Sequence, residues 1–245
     1  MAVDGDAMAV ISSSTFVQNN AFAGGALSVS NQAIVSVYAS AFMINVAWTS
    51  GAAIATTGDS TLSVYDSHFT RNSAPGGAAV SVEGDSNVYI FNTSFSYNQA
   101  TFRGAGVLAS DSSTVAVVAS TFVGNHAQLG GGVAVTGEST MRLEHTSLTS
   151  NVALACGGGV CTESTFPLAL VGVVSFSENK AESGAGVCAS VTLDSAVITK
   201  PGTRECDELL AEYPYMLQPA ADNNGVSQVR SSFENLSEGK RHWFD

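Results

Sequence analysis

Phe122-Val-Gly-Asn125, followed by Leu129-Gly-Gly-Gly-Val133, decides the reading of the whole chain, because the pattern keeps returning. Phe16-Val-Gln-Asn19 leads to Gly24, Phe42-Met-Ile-Asn45 to Gly51, Phe69-Thr-Arg-Asn72 to Gly77 and Phe95-Ser-Tyr-Asn98 to Gly104. After Asn125 comes Gly130, then Leu148-Thr-Ser-Asn151 leads to Gly157 and Phe176-Ser-Glu-Asn179 to Gly184. The asparagines lie 26, 27, 26, 27, 26 and 28 residues apart, and the glycines 27, 26, 27, 26, 27 and 27. A fixed period of this size is the mark of stacked structural repeats and sets the architecture.

Within each repeat, apolar residues recur at fixed offsets. Five before the Phe position stand Ile11, Val37, Val64, Ile90, Val117, Leu143 and Val171; seven before it stand Ala9, Val35, Leu62, Val88, Val115, Met141 and Ala169. Three after the glycine stand Leu27, Ile54, Val80, Val107, Val133, Val160 and Val187. The first two sets are two residues apart, so they share one face of a strand. Each repeat reads as two or three brief strands joined by turns. One such unit cannot bury its apolar face, but stacked units can, at about 4.8 Å per rung. The interior is then a Phe stack, three aliphatic stacks and an Asn stack. The asparagines suit inward turns because they tolerate left-handed backbone and can bond the rungs above and below. Ser14, Ser40, Ser67, Thr93, Ser120 and Thr146, with Val174 last, form a hydroxyl column read as structural.

Composition agrees. Only 12% of the 245 residues are charged, 45% are hydrophobic, and there are 24 glycines. Small and β-branched residues in short alternating runs favour strands over helices. Nine Lys+Arg against 21 Asp+Glu give a net charge of −12. That balance excludes a basic groove for nucleic acid and argues against polyanionic sugars. No run of about 18 apolar residues offers a membrane-spanning helix. The first residues lack the basic and apolar regions of a signal peptide, which fits a cytoplasmic chain, a processed one or a piece of something longer.

The Phe-x-x-Asn unit is paired with a Gly-Gly-Ala-Ile-like tetrapeptide: Gly24-Gly-Ala-Leu27, Gly51-Ala-Ala-Ile54, Gly77-Ala-Ala-Val80, Gly104-Ala-Gly-Val107 and Gly157-Gly-Gly-Val160. Over about residues 9–190 the chain resembles the repeats of the chlamydial polymorphic outer membrane proteins. The resemblance implies a β-helical passenger displayed at a cell surface and associated with adhesion. Similar repeats occur in large surface or secreted proteins of algae and protists. The sequence departs from the bacterial pattern in holding neither an autotransporter barrel nor a secretion signal, so the resemblance speaks more for the fold than for an export route.

Four groups of residues could carry chemistry. Asp59, Asp85, Asp111 and Glu138, with Asp6 and Glu163, fall at turns, where stacking would line carboxylates along one edge. Calcium is the cation such oxygen ligands would take, and a solvated acidic turn is the plainer reading. Cys161 and Cys188 each follow their glycine by four residues and should stack on adjacent rungs within disulfide range, with Cys156 or Cys206 as competitors. Without a CxxC or a Cys/His cluster, metal binding by these cysteines is not expected. The histidines fall at different repeat positions, with His145 read as a surface pair with Glu144. Arg71, Arg103 and Arg142 also differ in position, so no cleft of carboxylates and basic partners is indicated. The last group is the tail, where Tyr213, Tyr215, Trp243 and Phe244 are candidates for partner contact.

The expectation is an all-β protein: a right-handed parallel β-helix of about seven coils over residues 1–198, with an open first edge, a last strand near Leu193 to Ile198, and an irregular cap or docking arm over residues 199–245. Function is expected to be non-enzymatic, a surface adhesion or display module that binds protein or glycan outside the cell, with no resident cofactor. One alternative is a scaffold subunit in a soluble compartment, docking into a larger assembly through its tail. The other is an enzyme of the polysaccharide lyase or epimerase type.

Overall fold

The computed structural model describes residues 1–188 and, as backbone, residues 191–194. The chain winds as a parallel β-helix; each of the first six coils contributes four short strands, and the seventh three, with isolated bridges at Lys180 and Ser183 in place of the fourth. The coil that starts at Gly77 supplies Val80–Val82, Asn87–Phe91, Ser94–Ser96 and Gln99–Arg103. Equivalent strands pair in parallel with the coils before and after, giving sheets of eight, eight, seven and six strands, here called first to fourth in order along a coil. The expectation of two or three strands per repeat is corrected to four. The turn before each asparagine divides what reads in sequence as one segment.

The interior is a set of columns, one residue per coil. In the second sheet Val35, Leu62, Val88, Val115 and Met141 form one column, and Val37, Val64, Ile90, Val117 and Leu143 another. In the third sheet Phe16, Phe42, Phe69, Phe95 and Phe122 stack with ring centroids 4.6–5.0 Å apart and planes within 9°. Leu148 interrupts this column and Phe176 resumes it. Phe42, Phe69, Phe95 and Phe122 are fully buried, whereas Phe16, on the first coil, is only partly so. Among the described residues, strands of that first coil pair only with the second.

The asparagine column is a hydrogen-bonded ladder. Asn72 Nδ2 donates to Asn98 Oδ1 (3.0 Å) and to the Phe42 carbonyl oxygen (3.0 Å). Its Oδ1 accepts the backbone N–H and Nδ2 of Asn45 (3.0 and 2.9 Å). Every donor and acceptor of this fully buried amide is thus used, the condition under which burying a polar group is not destabilising. The same pattern continues to Asn179. The asparagines themselves are not left-handed. The residue before each one is: Gln18, Ile44, Arg71, Tyr97, Gly124, Ser150 and Glu178 have φ of 54–63°. The amide's value lies in its bonds rather than in its backbone tolerance. At the start of each coil the left-handed corner is always glycine, because a Cβ on Gly130 would run into the Val133 carbonyl oxygen.

Two hydroxyl columns flank the core. Ser40 Oγ donates to the Tyr38 carbonyl oxygen (2.7 Å) and accepts the Ser14 N–H (3.1 Å), and Ser67, Thr93 and Ser120 repeat the arrangement. A second column, Ser60, Ser86, Ser113 and Ser139, is buried at the corner before the second sheet and is not foreseen in the sequence reading.

The seventh coil carries a register correction. Leu143 pairs with Leu170, not Val171, and Leu168 and Leu170 are the buried residues. One extra residue sits in the turn at Gly172, which accounts for the 28-residue spacing. In a strand, a one-residue slip exchanges the inner and outer faces. The last described strand is Val191–Asp194, paired with residues 168–171, earlier than the expected one. The boundary at residues 198/199, and the cap or arm beyond it, lie outside the described residues.

Candidate functional site

With the interior committed to columns, chemistry is left to the outside. On the second sheet the outward residues are the first, third and fifth of each strand. In Met8–Ser12, Ile34–Tyr38, Thr61–Tyr65, Asn87–Phe91 and Thr114–Val118 none of them is charged. Tyr38, Tyr65, Phe91 and Val118 form one outward column. Tyr38 and Tyr65 stack at 4.9 Å with planes 6° apart, and Tyr89 meets Tyr65 at 5.8 Å, tilted by 52°. Met8 and Val10 are 76% and 74% exposed, and Ile34, Tyr38, Tyr89 and Phe91 remain about 40% exposed. The face ends at the next strand, where Arg142 Nη2 and Glu144 Oε2 form an ion pair at 2.7 Å. His145 Nε2 lies 3.9 Å from the other Glu144 oxygen, while its Nδ1 accepts the Val173 N–H (3.3 Å). The signal for this face was present in the Tyr38, Tyr65, Phe91 spacing. Following only the inward residues passes over it.

The acidic turns border this face. Asp59, Asp85 and Glu138 each stand two residues before their strand and share a column, but Ser112 occupies it between Asp85 and Glu138. Asp111 is one position earlier, left-handed at φ 63°, and its Oδ2 accepts the Gly84 N–H (3.0 Å). Glu163 aligns with Thr136 instead. The expected single edge of carboxylates is therefore corrected to a broken one. Among the described residues, the three or more potential metal ligands that come together are cysteines. Asp4 accepts hydrogen bonds from Ser30 Oγ (2.7 Å) and Asn31 Nδ2, which hold its carboxyl below the usual value.

Cys156, Cys161 and Cys188 are all buried, with their sulfurs within 4.8 Å of one another. Cys161 and Cys188 are in-register neighbours on the first sheet, while Cys156 ends the fourth-sheet strand and turns over them. The Cys156 and Cys161 sulfurs are 2.7 Å apart. Hydrogen bonding with Cys161 and Cys188, then burial, pushes the Cys156 thiol well above its ordinary value. Spacing alone leaves Cys156 and Cys206 as equal competitors, because the Cys156 contact crosses a corner whose geometry is set by three successive glycines, Gly157 to Gly159.

Arg103 Nη2 and Glu163 Oε2 form an ion pair at 2.9 Å. Burial raises the Glu163 carboxyl above the usual value even though the Arg103 guanidinium opposes it. Cys206, Tyr213, Tyr215, Trp243 and Phe244 lie outside the described residues. Among those described, no helix is long and apolar enough to cross a membrane.

Comparison with known proteins returns one family model, the right-handed β-helix region, matching residues 2–165. No curated protein and no solved structure matches the chain.

Proposed function

The chain belongs to the right-handed β-helix family, and from that premise we propose that it is a non-catalytic interaction rod whose second-sheet face contacts a partner protein. The observation that carries this reading is five consecutive strands with uncharged outward faces on a chain of net charge −12. An apolar, tyrosine-bearing centre with a polar rim is the usual anatomy of a protein contact. Tyr38 and Tyr65 turn their ring faces toward each other and so offer edges and hydroxyls outward. A sugar ring stacks on an exposed aromatic face, so protein is favoured over glycan. Five strands of five residues span about 19 by 17 Å, or about 300 Å². A standard interface buries about 800 Å² per partner, so the contact is a weak one or extends over the acidic rim. A displayed adhesion module and a scaffold subunit would use this face in the same way and differ in where the partner resides.

The test is site-specific photo-cross-linking in extract of the source cells. A photoreactive side chain at position 65 should give a discrete protein adduct that the same group at position 126, on the fourth sheet, does not. Equal adducts from both positions, or capture of glycan alone, would overturn the reading.

A further inference from the structure

The cysteine cluster is independent of the contact face. Three observations bear on what it does. First, the 2.7 Å separation of the Cys156 and Cys161 sulfurs is near the bonded distance of about 2.05 Å. Tetrahedral coordination with metal–sulfur bonds of about 2.3 Å would hold them about 3.8 Å apart. Second, Leu129 and Ala155 pack around the three sulfurs, an apolar setting that favours a neutral cross-link over a group of thiolates. Third, in-register neighbours such as Cys161 and Cys188 sit about 4.8 Å apart on parallel strands, within the Cα range of a disulfide.

We propose that these residues form a thiol–disulfide relay: Cys156 and Cys161 close into a disulfide across the triglycine corner, and Cys188 exchanges into it, moving the link to one between the seventh coil and the coil that follows it. Cys156, the most exposed of the three at 8%, is the entry point. With a small aliphatic disulfide as oxidant, the Cys156 thiolate attacks one oxidant sulfur, forming a mixed disulfide and releasing one thiol. The Cys161 thiolate then attacks Cys156 Sγ, forms the Cys156–Cys161 bond and expels the second thiol. Two electrons pass to the oxidant, and both cysteine protons end on the released thiols. In the exchange, the Cys188 thiolate attacks Cys161 Sγ. The Cys161–Cys188 bond forms as the Cys156–Cys161 bond breaks, and Cys156 leaves as a thiolate that takes up a proton. No net oxidation occurs in that step. The raised Cys156 thiol makes the first attack slow at neutral pH.

The full 245-residue chain, folded and treated with hydroxyethyl disulfide at mildly alkaline pH, tests this by alkylation and tryptic mapping. Cys156 and Cys161 lie in the peptide of residues 143–180, and Cys188 in that of residues 181–204, apart from Cys206. The Cys188→Ser chain should yield residues 143–180 unalkylated and lighter by two hydrogens. The native chain should also yield that peptide joined to residues 181–204, and Cys156→Ser, which lacks the entry thiol, should form the joined peptide more slowly than the native chain and no other link between these peptides. Circular dichroism confirms that each variant is folded. Full alkylation of Cys156 and Cys161 in the folded, oxidised Cys188→Ser chain would overturn the proposal. So would a dominant link to Cys206. One equivalent of Cd²⁺ protecting all three thiols, with a sulfur-to-metal absorption lost in each serine variant, would reassign the cluster as a metal site.

Discussion

The first five coils and the last two keep the same period but differ in what they allow. Up to about residue 137 the third-sheet column is unbroken phenylalanine, the hydroxyl column is intact, and the second sheet shows no charge to solvent. Beyond it Leu148 replaces Phe, Val174 replaces a hydroxyl, and an extra residue enters at Gly172. The Arg142–Glu144 ion pair, Glu163 as the acidic end of the pair that reaches back to Arg103, and the cysteine cluster lie there too. The asparagine ladder and the left-handed glycine corner run through both regions unchanged. What the solenoid cannot give up is therefore the buried amide and its glycine corner. Shape-filling side chains are negotiable, and chemistry collects where they relax.

The largest expected effect is in the front region. Phe122→Ala removes a fully buried ring and should cost about 3–5 kcal/mol in urea unfolding. Phe16→Ala, on the half-covered first coil, should cost about 1–2 kcal/mol. Equal losses would break the idea that the column is uniformly supported only inside the stack. Asn98→Ala should cost about 2–4 kcal/mol, since it orphans the Asn72 N–H and Nδ2 and the Phe69 carbonyl oxygen. The equivalent Asn151→Ala should cost as much, because the ladder does not distinguish the two regions. A near-neutral result at either site would contradict that. In the back region, Val174→Thr returns a hydroxyl where the Thr146 N–H can donate to it, and should stabilise by about 1 kcal/mol.

The smallest effect concerns Glu163. Its carboxyl is raised above the ordinary 4.5 by burial, so the folded state binds its proton more tightly than the unfolded state. That contribution to stability is complete below the ordinary value and is lost as pH rises through the raised one. Glu163→Gln should flatten the fall in melting temperature over that window, and an unchanged profile would show that Arg103 already compensates the charge.

Much of this was legible in the sequence, and the reasons for the misses are local. Inward residues recur because their neighbours in the coils above and below are copies of themselves, so the Phe, Asn and Gly columns are visible as period. Left-handed residues before each asparagine are chemically diverse, from Ile44 to Glu178, because their side chains point away from the core and leave no common signature. The slip at Gly172 is invisible to counting back from Phe176, since a single inserted residue looks like ordinary variation in period. The cysteine contact spans a corner, and corners are set by backbone rather than by spacing. The uncharged face is a property of what is missing from alternate positions, which a search for motifs passes over.

The contact face is tested most directly by a paired measurement of partner affinity, using the protein captured through position 65. Tyr65→Arg places a charge at the centre of the uncharged face, while Asp85→Arg changes charge by more at its rim. Tyr65→Arg should weaken binding at least tenfold and Asp85→Arg by less than threefold, with both variants folded. Equal weakening, or a larger loss from Asp85→Arg, would contradict a contact centred on the second sheet.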